Sequence, residues 1–271
     1  NKRKKVKKMK KNVTDQKKID LIESLRNGLI VSCQSQPGDI IHEDGKTVVT
    51  MAKAAQWAKA KGIRANGPDQ IAAIHEAVDL PIIGLWKIKY PDVDTHIITP
   101  TVEHAKALWE AGAKIIAADC THLPNPALGG KPRYEIIPLI KEAIPEAVIF
   151  ADCATFEEAK KSAELGADIV SPTKFSYTPE TAMMEPPAWN MVAQMVRELS
   201  DQSYVIMEGH IYTPEDAMKA VYLGCHAVVV GSAITRPHYI SKRFVDLLNG
   251  LKEDWRDAER AWTGIVTERK D

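Results

Sequence analysis

The sequence predicts a single (β/α)8 barrel of the phosphate-binding TIM type, in which eight parallel strands are each followed by a helix. Short β-rich apolar segments alternate with segments of helical period along the chain. A phrase made of a helix end, a glycine and a strand recurs at 110–120, 164–173 and 222–232. In all, eight units of a strand followed by a helical segment in roughly 220 residues suit a closed barrel better than an open sheet.

Composition limits the classes of protein that the chain can belong to. The 271 residues are 45% hydrophobic and 27% charged, as in ordinary globular proteins. No apolar run approaches the roughly 20 residues of a membrane helix, and the basic start has no apolar segment after it, so we expect neither a membrane partner nor a signal peptide. The four cysteines (Cys33, Cys120, Cys153 and Cys225) lack metal-ligand spacing, which favours reduced thiols in the cytoplasm.

Positive charge is concentrated at the start of the chain, and the rest of the chain has an excess of acidic residues. Residues 1–12 carry eight Lys or Arg and no acid, which leaves 28 basic against 36 acidic residues elsewhere. This arm is typical of nucleic-acid or membrane binding, or of a solvated, disordered start. We favour the second interpretation and expect no nucleic-acid partner, because the body has no recognition motif. The predicted organisation is a basic arm (1–12), one barrel domain (13–250) and a charged helical tail (251–271).

The elements follow in order along the chain. Residues Thr14–Arg26 are predicted to form an extra helix that covers the barrel floor. Three later helices, beginning at TVEHAKALWEAG, TFEEAKKSAELG and TPEDAMKAVYLG, open with Thr as a cap and carry Glu near the first turn, where a carboxylate is favoured. The predicted strands are Leu29–Gln34, Ile63–Asn66, Ile82–Lys87, Lys114–Cys120, Ala147–Cys153, Asp168–Thr173, Tyr204–Ile211 and His226–Ile234.

The carboxyl ends of the strands are where such barrels carry their chemistry. Nearly every predicted strand end is polar, although the residues just upstream are apolar. Solvent exposure alone does not account for so many ionisable groups on one rim, so we predict a site there. The polar groups at or just beyond the strand ends include Gln34, Arg64, Lys87, Asp119, Asp152, Lys174, Tyr177, Glu208 and His210.

The last two loops predict a phosphate site. Glycine allows the backbone N–H groups to approach an anion closely, and an arginine can add a bidentate contact. A Gly-Ser turn with a surface arginine is the alternative, but two glycine turns in the two expected loops favour phosphate. The residues assigned to this site are Gly209, His210, Gly231, Ser232 and Arg236.

The stretch LPIIGLWKIKYP places Lys87 directly after an apolar run, either as a strand exit or as a reactive amine. Strands 3 and 7 lie opposite each other in a ring of eight, so Lys87 should face Glu208. Such a pair suits removal of a proton from one face of a carbon and its return to the other, next to the carbonyl of an open-chain phosphosugar. Burial and Arg64 should lower the pKa of Lys87, while Glu208 raises it.

Two further interpretations of these groups stay open. Arg64 is a candidate donor to an enolate oxygen. A buried salt bridge between Lys87 and Glu208 would instead give both groups a purely structural role.

Several motifs between about residues 28 and 244 together resemble one family. They include GLIVSCQ, GIRANG, LPIIGLWKIKYPD, AADCT, FADCATFEEA, EGHIYTPEDA and VVVGSAITRP. The chain resembles the bacterial N-acetylmannosamine-6-phosphate 2-epimerases of sialic acid breakdown, which implies an isomerase that needs no metal or organic cofactor. The resemblance implies catalytic roles for Lys87 and Glu208, substrate contacts for Gln34, Arg64 and Asp152, and phosphate contacts for Arg236, Gly231 and Ser232.

Some rim residues depart from the pattern of that family. Leu123 and Asn125 stand where arginines are usual, and His210 replaces an arginine or lysine. Pro172 and Lys174 are also unusual. A related hexose 6-phosphate is therefore an alternative substrate, and a Schiff-base lyase acting through Lys87 or a non-catalytic phosphosugar-binding protein are alternative functions.

We also assign Asp119 and Tyr177 to the substrate site because they lie at or just beyond predicted strand ends on the same rim. The expected partners are a phosphosugar and a second copy of the chain in a homodimer.

Overall fold

A computed structural model describes residues 12–35, 38–43, 45–91, 93 and 95–249. In this part of the chain, eight parallel strands pair in sequence order and close into a barrel. The predicted (β/α)8 fold is confirmed. Barrel strands 1 to 8 are Leu29–Ser32, Gly62–Asn66, Ile82–Leu85, Ile115–Asp119, Val148–Asp152, Ile169–Ser171, Tyr204–Glu208 and Ala227–Val230.

Helices alternate with the strands and surround the barrel. The predicted threonine caps are present: Thr101, Thr155 and Thr213 each accept a hydrogen bond from a backbone N–H of the first turn. The α-helices are Gln16–Ser24, Lys46–Trp57, Pro68–Ala77, Val102–Glu110, Ile136–Ala143, Phe156–Glu164, Trp189–Leu199, Pro214–Tyr222 and Ser232–Thr235, and a further helix spans 237–249. None of the helices in the described ranges is both long and apolar enough to cross a membrane.

The N-terminal helix closes the floor of the barrel, as predicted. Asp15 caps it by accepting hydrogen bonds from Lys17 N at 2.8 Å and Lys18 N at 3.1 Å. Ile22 and Leu25 are fully buried against the inward-facing residues of the strands. The helix therefore seals the amino-terminal end and leaves the carboxyl ends of the strands as the open face.

Strand 3 ends two residues earlier than predicted. Trp86 N donates to Thr99 Oγ1 at 3.2 Å and Thr99 N donates to Trp86 O at 2.7 Å, so the backbone pairs with a returning segment instead of the barrel. Lys87–Ile88 forms a short antiparallel pair with Ile97–Ile98. Lys87 thus lies in the short antiparallel strand that follows barrel strand 3, rather than at the end of the barrel strand itself.

Other strands also stop short of the predicted limits. Strand 7 ends at Glu208 because Gly209 and His210 have positive φ angles of 109° and 56°. Strand 6 ends at Ser171, since Pro172 has no backbone N–H to continue the ladder. The tail predicted at 251–271 and residues 1–11 of the predicted arm lie outside the described residues.

Candidate active site

A cavity of about 410 Å³ opens at the carboxyl ends of the barrel strands. It gathers ten of the twelve predicted site residues, which come from strands 2 and 7 and from the segments after strands 1, 3, 6, 7 and 8. The ten are Gln34, Arg64, Lys87, Tyr177, Glu208, Gly209, His210, Gly231, Ser232 and Arg236.

Arg64 connects three strands through a buried ion network. It is 1% exposed, and its Nη1 and Nη2 donate to Asp152 Oδ1 and Oδ2 at 3.0 and 2.6 Å. Nη1 also donates to Glu208 Oε2. Burial opposes the guanidinium charge, but the two carboxylates outweigh burial and raise the pKa of Arg64. We call Arg64, Asp152 and Glu208 the Asp152 cluster.

Glu208 is held in an environment that favours its protonated form. Burial, with the charge of Asp152, raises the pKa of Glu208 to about 7 against the opposing charges of Arg64 and Lys87. Thr173 Oγ1 adds a long contact of 3.4 Å to Oε2. A carboxyl group with this pKa can both give and accept a proton near neutral pH.

Lys87 is held in an environment that favours its neutral amine. Burial, followed by the charges of Arg64 and Arg236, lowers the pKa of Lys87 to about 8, while Glu208 opposes the change. Among the described residues, no carboxylate oxygen lies within 4.0 Å of Lys87 Nζ. The alternative of a Lys87–Glu208 salt bridge is therefore not what the structure shows, because Glu208 pairs with Arg64. Asn66 Oδ1 accepts from Lys87 N at 2.9 Å and fixes the backbone.

Asp119 and Asp152 do not line the cavity, in contrast to the predicted substrate contacts. Both carboxylates are fully buried and turn toward buried cations. Asp119 Oδ2 contacts Arg133 Nη1 at 2.9 Å and Lys174 Nζ at 3.3 Å, which we call the Asp119 cluster. The two aspartates support the residues that face the cavity.

The predicted phosphate residues all line the cavity, and two of them, Arg236 and Gly231, pack against strand 1 and the segment after it. Arg236 Nη1 donates to Gln34 O at 2.8 Å and lies 3.1 Å from Asp39 Oδ2, so its guanidinium is held in place. A Cβ on Gly231 would meet Ser32 Cβ at 3.4 Å, which shows how closely the turn packs on strand 1. These contacts leave a glycine backbone and an arginine on the same wall.

Gln34 and His210 show how the cavity presents its neutral groups. Gln34 Nε2 donates to Ser32 Oγ at 2.8 Å, and its buried Oε1 has no hydrogen-bond partner in the described part of the chain. His210 Nε2 contacts Ser176 Oγ at 2.8 Å, and its ring stacks on Tyr177 at 5.2 Å. Gln34 Oε1 is thus an acceptor available to a ligand N–H or O–H group.

Sequence reasoning missed several residues of the cavity wall. Thr95 and His96 belong to the returning segment that pairs near Lys87, and a segment between two strands carries no signal that it folds over a site. Lys174 was placed on the predicted polar rim but was given no role in the site, yet it lines the cavity.

Comparison with known proteins gives consistent matches over most of the chain. The family model described as "Putative N-acetylmannosamine-6-phosphate epimerase" matches residues 48–250. A protein of Caldanaerobacter subterraneus subsp. tengcongensis named "Putative N-acetylmannosamine-6-phosphate 2-epimerase" is 42% identical over 85% of this chain and 94% of its own. A protein of Lactiplantibacillus plantarum with the same name is 40% identical over 85% and 100%.

The solved structures give a match of the same kind. The N-acetylmannosamine-6-phosphate 2-epimerase from Clostridium perfringens superimposes with a TM-score of 0.77 at 34% identity, covering 84% of this chain and 96% of its own. Thiamine phosphate pyrophosphorylase from Pyrococcus furiosus matches with a TM-score of 0.52 at 16% identity, which supports the barrel fold alone.

Proposed function

The chain belongs to the N-acetylmannosamine-6-phosphate epimerase family, and we propose that it interconverts N-acetylmannosamine 6-phosphate and N-acetylglucosamine 6-phosphate. This reaction inverts the configuration at C2 of the sugar. Its place would be in amino sugar catabolism, including sialic acid breakdown.

The meeting of Lys87 and Glu208 in one cavity carries the proposal. Their pKa values, lowered to about 8 and raised to about 7, make the neutral amine and the protonated carboxyl group both accessible near neutral pH. Proton transfer between well-placed groups and substrate contributes about 10²–10⁴ in rate. The pair is therefore suited to a reaction made only of proton transfers.

The proposed steps balance without any other reactant. The C2–H bond of the open-chain sugar breaks as Lys87 takes the proton, and the electron pair forms a C1=C2 bond while charge moves to the C1 oxygen. Glu208 then gives its proton to the opposite face of C2, and the C1 carbonyl re-forms. Arg64 stabilises the carboxylate that remains on Glu208. The reverse reaction exchanges the roles of the two groups.

The remaining cavity groups are proposed to bind the rest of the substrate. Arg236 with the Gly209 and Gly231–Ser232 turns would hold the 6-phosphate, since a guanidinium and backbone N–H groups suit that anion. Gln34 Oε1, which lacks a partner within the described residues, would accept from a sugar N–H or O–H group. Tyr177, whose ring stacks on His210, would form part of the cavity wall next to the substrate.

We also propose a homodimer formed through the helix at 237–249. This helix is exposed to solvent along most of its length in the single chain, and five of its large apolar side chains are each more than half exposed. They are Tyr239, Phe244, Val245, Leu247 and Leu248. A group of exposed apolar side chains of this kind is typical of a protein interface. Sedimentation of the wild type and of Leu248→Glu tests the interface, since the variant should be monomeric.

A cytoplasmic location is proposed from the cysteines. Cys33, Cys120, Cys153 and Cys225 are all buried free thiols. Such thiols are typical of a reducing compartment.

Proton NMR in heavy water tests the function directly. We expect N-acetylmannosamine 6-phosphate to convert to the gluco epimer with deuterium at C2. Binding without exchange or conversion would instead identify a non-catalytic phosphosugar-binding protein. Trapping of substrate on Lys87 by borohydride would identify a Schiff-base lyase, and faster turnover of another hexose 6-phosphate would show that the altered rim sets a different specificity.

A further inference from the structure

Lys174 is a cation of the cavity wall that the proposed steps do not use. It follows strand 6, and its side chain is 10% exposed. Lys174 N donates to Cys153 O at 3.0 Å and Tyr177 N donates to Lys174 O at 3.0 Å, so the backbone is fixed on both sides. The ammonium group is thus presented to the cavity from a rigid position.

The Asp119 cluster anchors this ammonium without cancelling its charge. Asp119 Oδ2 is shared between Lys174 Nζ at 3.3 Å and Arg133 Nη1 at 2.9 Å, while Oδ1 accepts from Thr121 Oγ1 at 2.8 Å. Two cations therefore face one carboxylate. An ammonium has three N–H donors, and in the described part of the chain Asp119 is its one carboxylate partner within 4.0 Å.

Arg64 is a poorer donor to substrate than its charge suggests. Its Nη1 and Nη2 atoms already donate to Asp152 and Glu208, and the side chain is 1% exposed. Lys174 has no comparable set of partners. The ammonium of Lys174 therefore adds spare N–H donors on the strand 6 side of the cavity, whereas Arg64 Nε, which has no hydrogen-bond partner within the described residues, is buried.

Lys174 and Lys87 both line the cavity, and Thr173 Oγ1, from the residue before Lys174, lies 3.4 Å from Glu208 Oε2. After burial, the charges of surrounding cations, Lys174 among them, lower the pKa of Lys87 and of His96. An ammonium in the same cavity as Lys87 and Glu208 is available to the charge that appears when Lys87 removes a proton.

We propose that Lys174 is a further catalytic residue, whose ammonium donates a hydrogen bond to the sugar oxygen that becomes negative as the C2 proton leaves. This inference rests on the proposed epimerase function. No proton needs to leave Lys174: the electron pair of the broken C2–H bond delocalises onto the C1 oxygen, and the ammonium stabilises that charge until C2 is reprotonated. The contact strengthens as charge develops, so it should act on kcat more than on KM.

The test compares Lys174→Met, which keeps the stem and removes the charge, with Lys174→Arg, which keeps the charge. Lys89→Met is the matched control, because Lys89 is an exposed lysine on the same rim that does not line the cavity. We measure kcat and KM for N-acetylmannosamine 6-phosphate across pH, binding of inorganic phosphate, and thermal unfolding.

We expect Lys174→Met to lose about 10²–10³ in kcat at its own pH optimum, as removal of an oxyanion donor does. KM and phosphate binding should change little, Lys174→Arg should recover part of kcat, and Lys89→Met should match the wild type. Removing the charge should also raise the pKa of Lys87 and shift the pH optimum upward.

Three outcomes would overturn the role of Lys174. They are a rise in KM with unchanged kcat, a shifted optimum of unchanged height, and unchanged kinetics. If the wild type exchanges the C2 hydrogen and the Lys174→Met variant is equally active, only the role of Lys174 is refuted. A wild type that catalyses no exchange refutes the proposed function itself.

Discussion

Two buried ion clusters border the cavity, and one has an excess of negative charge while the other has an excess of positive charge. The Asp152 cluster has two carboxylates around one cation, and the Asp119 cluster has two cations around one carboxylate. Asp119 and Asp152, after which the clusters are named, are direct neighbours in the register of strands 4 and 5. The same residue type at the same height in the barrel thus supports an acid on one side and a cation on the other.

The difference in charge shows how buried residues of the barrel set the pKa values of the groups that face the cavity. The excess of negative charge in the Asp152 cluster adds to burial in raising the pKa of Glu208. The excess of positive charge in the Asp119 cluster reaches the cavity through Lys174, and it adds to burial and to Arg64 in lowering the pKa of Lys87. The two shifts bring the pKa values of the proposed acid and base close together.

The largest effect is expected from removing the groups that the clusters tune. Lys87→Met and Glu208→Gln should each lose at least about 10² in kcat, because each removes one proton-transferring group. The double variant should be little worse than the poorer single variant, since the groups act as a unit. Lys87→Arg should be nearly inactive, because a guanidinium stays protonated.

Steady-state kinetics with N-acetylmannosamine 6-phosphate measures these losses, and thermal unfolding checks that the variants fold. Substantial activity in Lys87→Met would mean that Lys87 only leads the chain out of strand 3. Another base would then be needed, and the buried Asp119 and Asp152 are poorly placed for that role because neither lines the cavity.

Substituting the two aspartates sharpens the comparison between the clusters. Asp119→Asn leaves Arg133 and Lys174 without a charged partner, and breaking a buried pair costs about 3–5 kcal/mol of unfolding free energy. Asp152→Asn should cost less, because Glu208 still pairs with Arg64. Denaturant unfolding of both variants measures the two losses. Equal losses would contradict the difference in charge balance.

The pH dependence of kcat/KM tests the role of Asp152 by itself. The pair works with one proton shared between Glu208 and Lys87, so kcat/KM should peak between about 7 and 8. It falls at lower pH as both groups are protonated, and at higher pH as both are deprotonated. Asp152→Asn removes a charge that raises the pKa of Glu208, so the acidic limb should move to lower pH. An acidic limb that does not move would contradict the role of Asp152.

A smaller effect is expected at the phosphate end, away from both clusters. Arg236→Ala should raise KM about 10- to 100-fold, the equivalent of a charge-assisted contact of about 1.5–3 kcal/mol, with a smaller change in kcat. Arg197→Ala, at an exposed helical arginine, is the control. An unchanged KM in a normally folded Arg236→Ala variant would remove the phosphate assignment.

The fold and part of the site could be predicted from sequence because they depend on local patterns. The alternation of apolar strands and helical segments predicted the eight strands, and the polar residues near the strand ends predicted ten of the residues that line the cavity. The partners of the buried aspartates could not be predicted in this way. Arg64 and Asp152 are 88 residues apart, and which carboxylate turns inward depends on where each cation lies in three dimensions. Lys174 is a similar case, since its role depends on Asp119 at the end of strand 4 and on Arg133 in the segment after that strand.

The central claim, that Lys87 and Glu208 act on opposite faces of C2, is tested most directly by early-time proton NMR of the wild type in heavy water. The account predicts that newly formed N-acetylglucosamine 6-phosphate carries deuterium at C2 while the remaining N-acetylmannosamine 6-phosphate keeps its proton, because one group removes the proton and the other supplies a solvent deuteron. Product that keeps its original C2 proton, or deuterium that enters both epimers equally from the start, would contradict it.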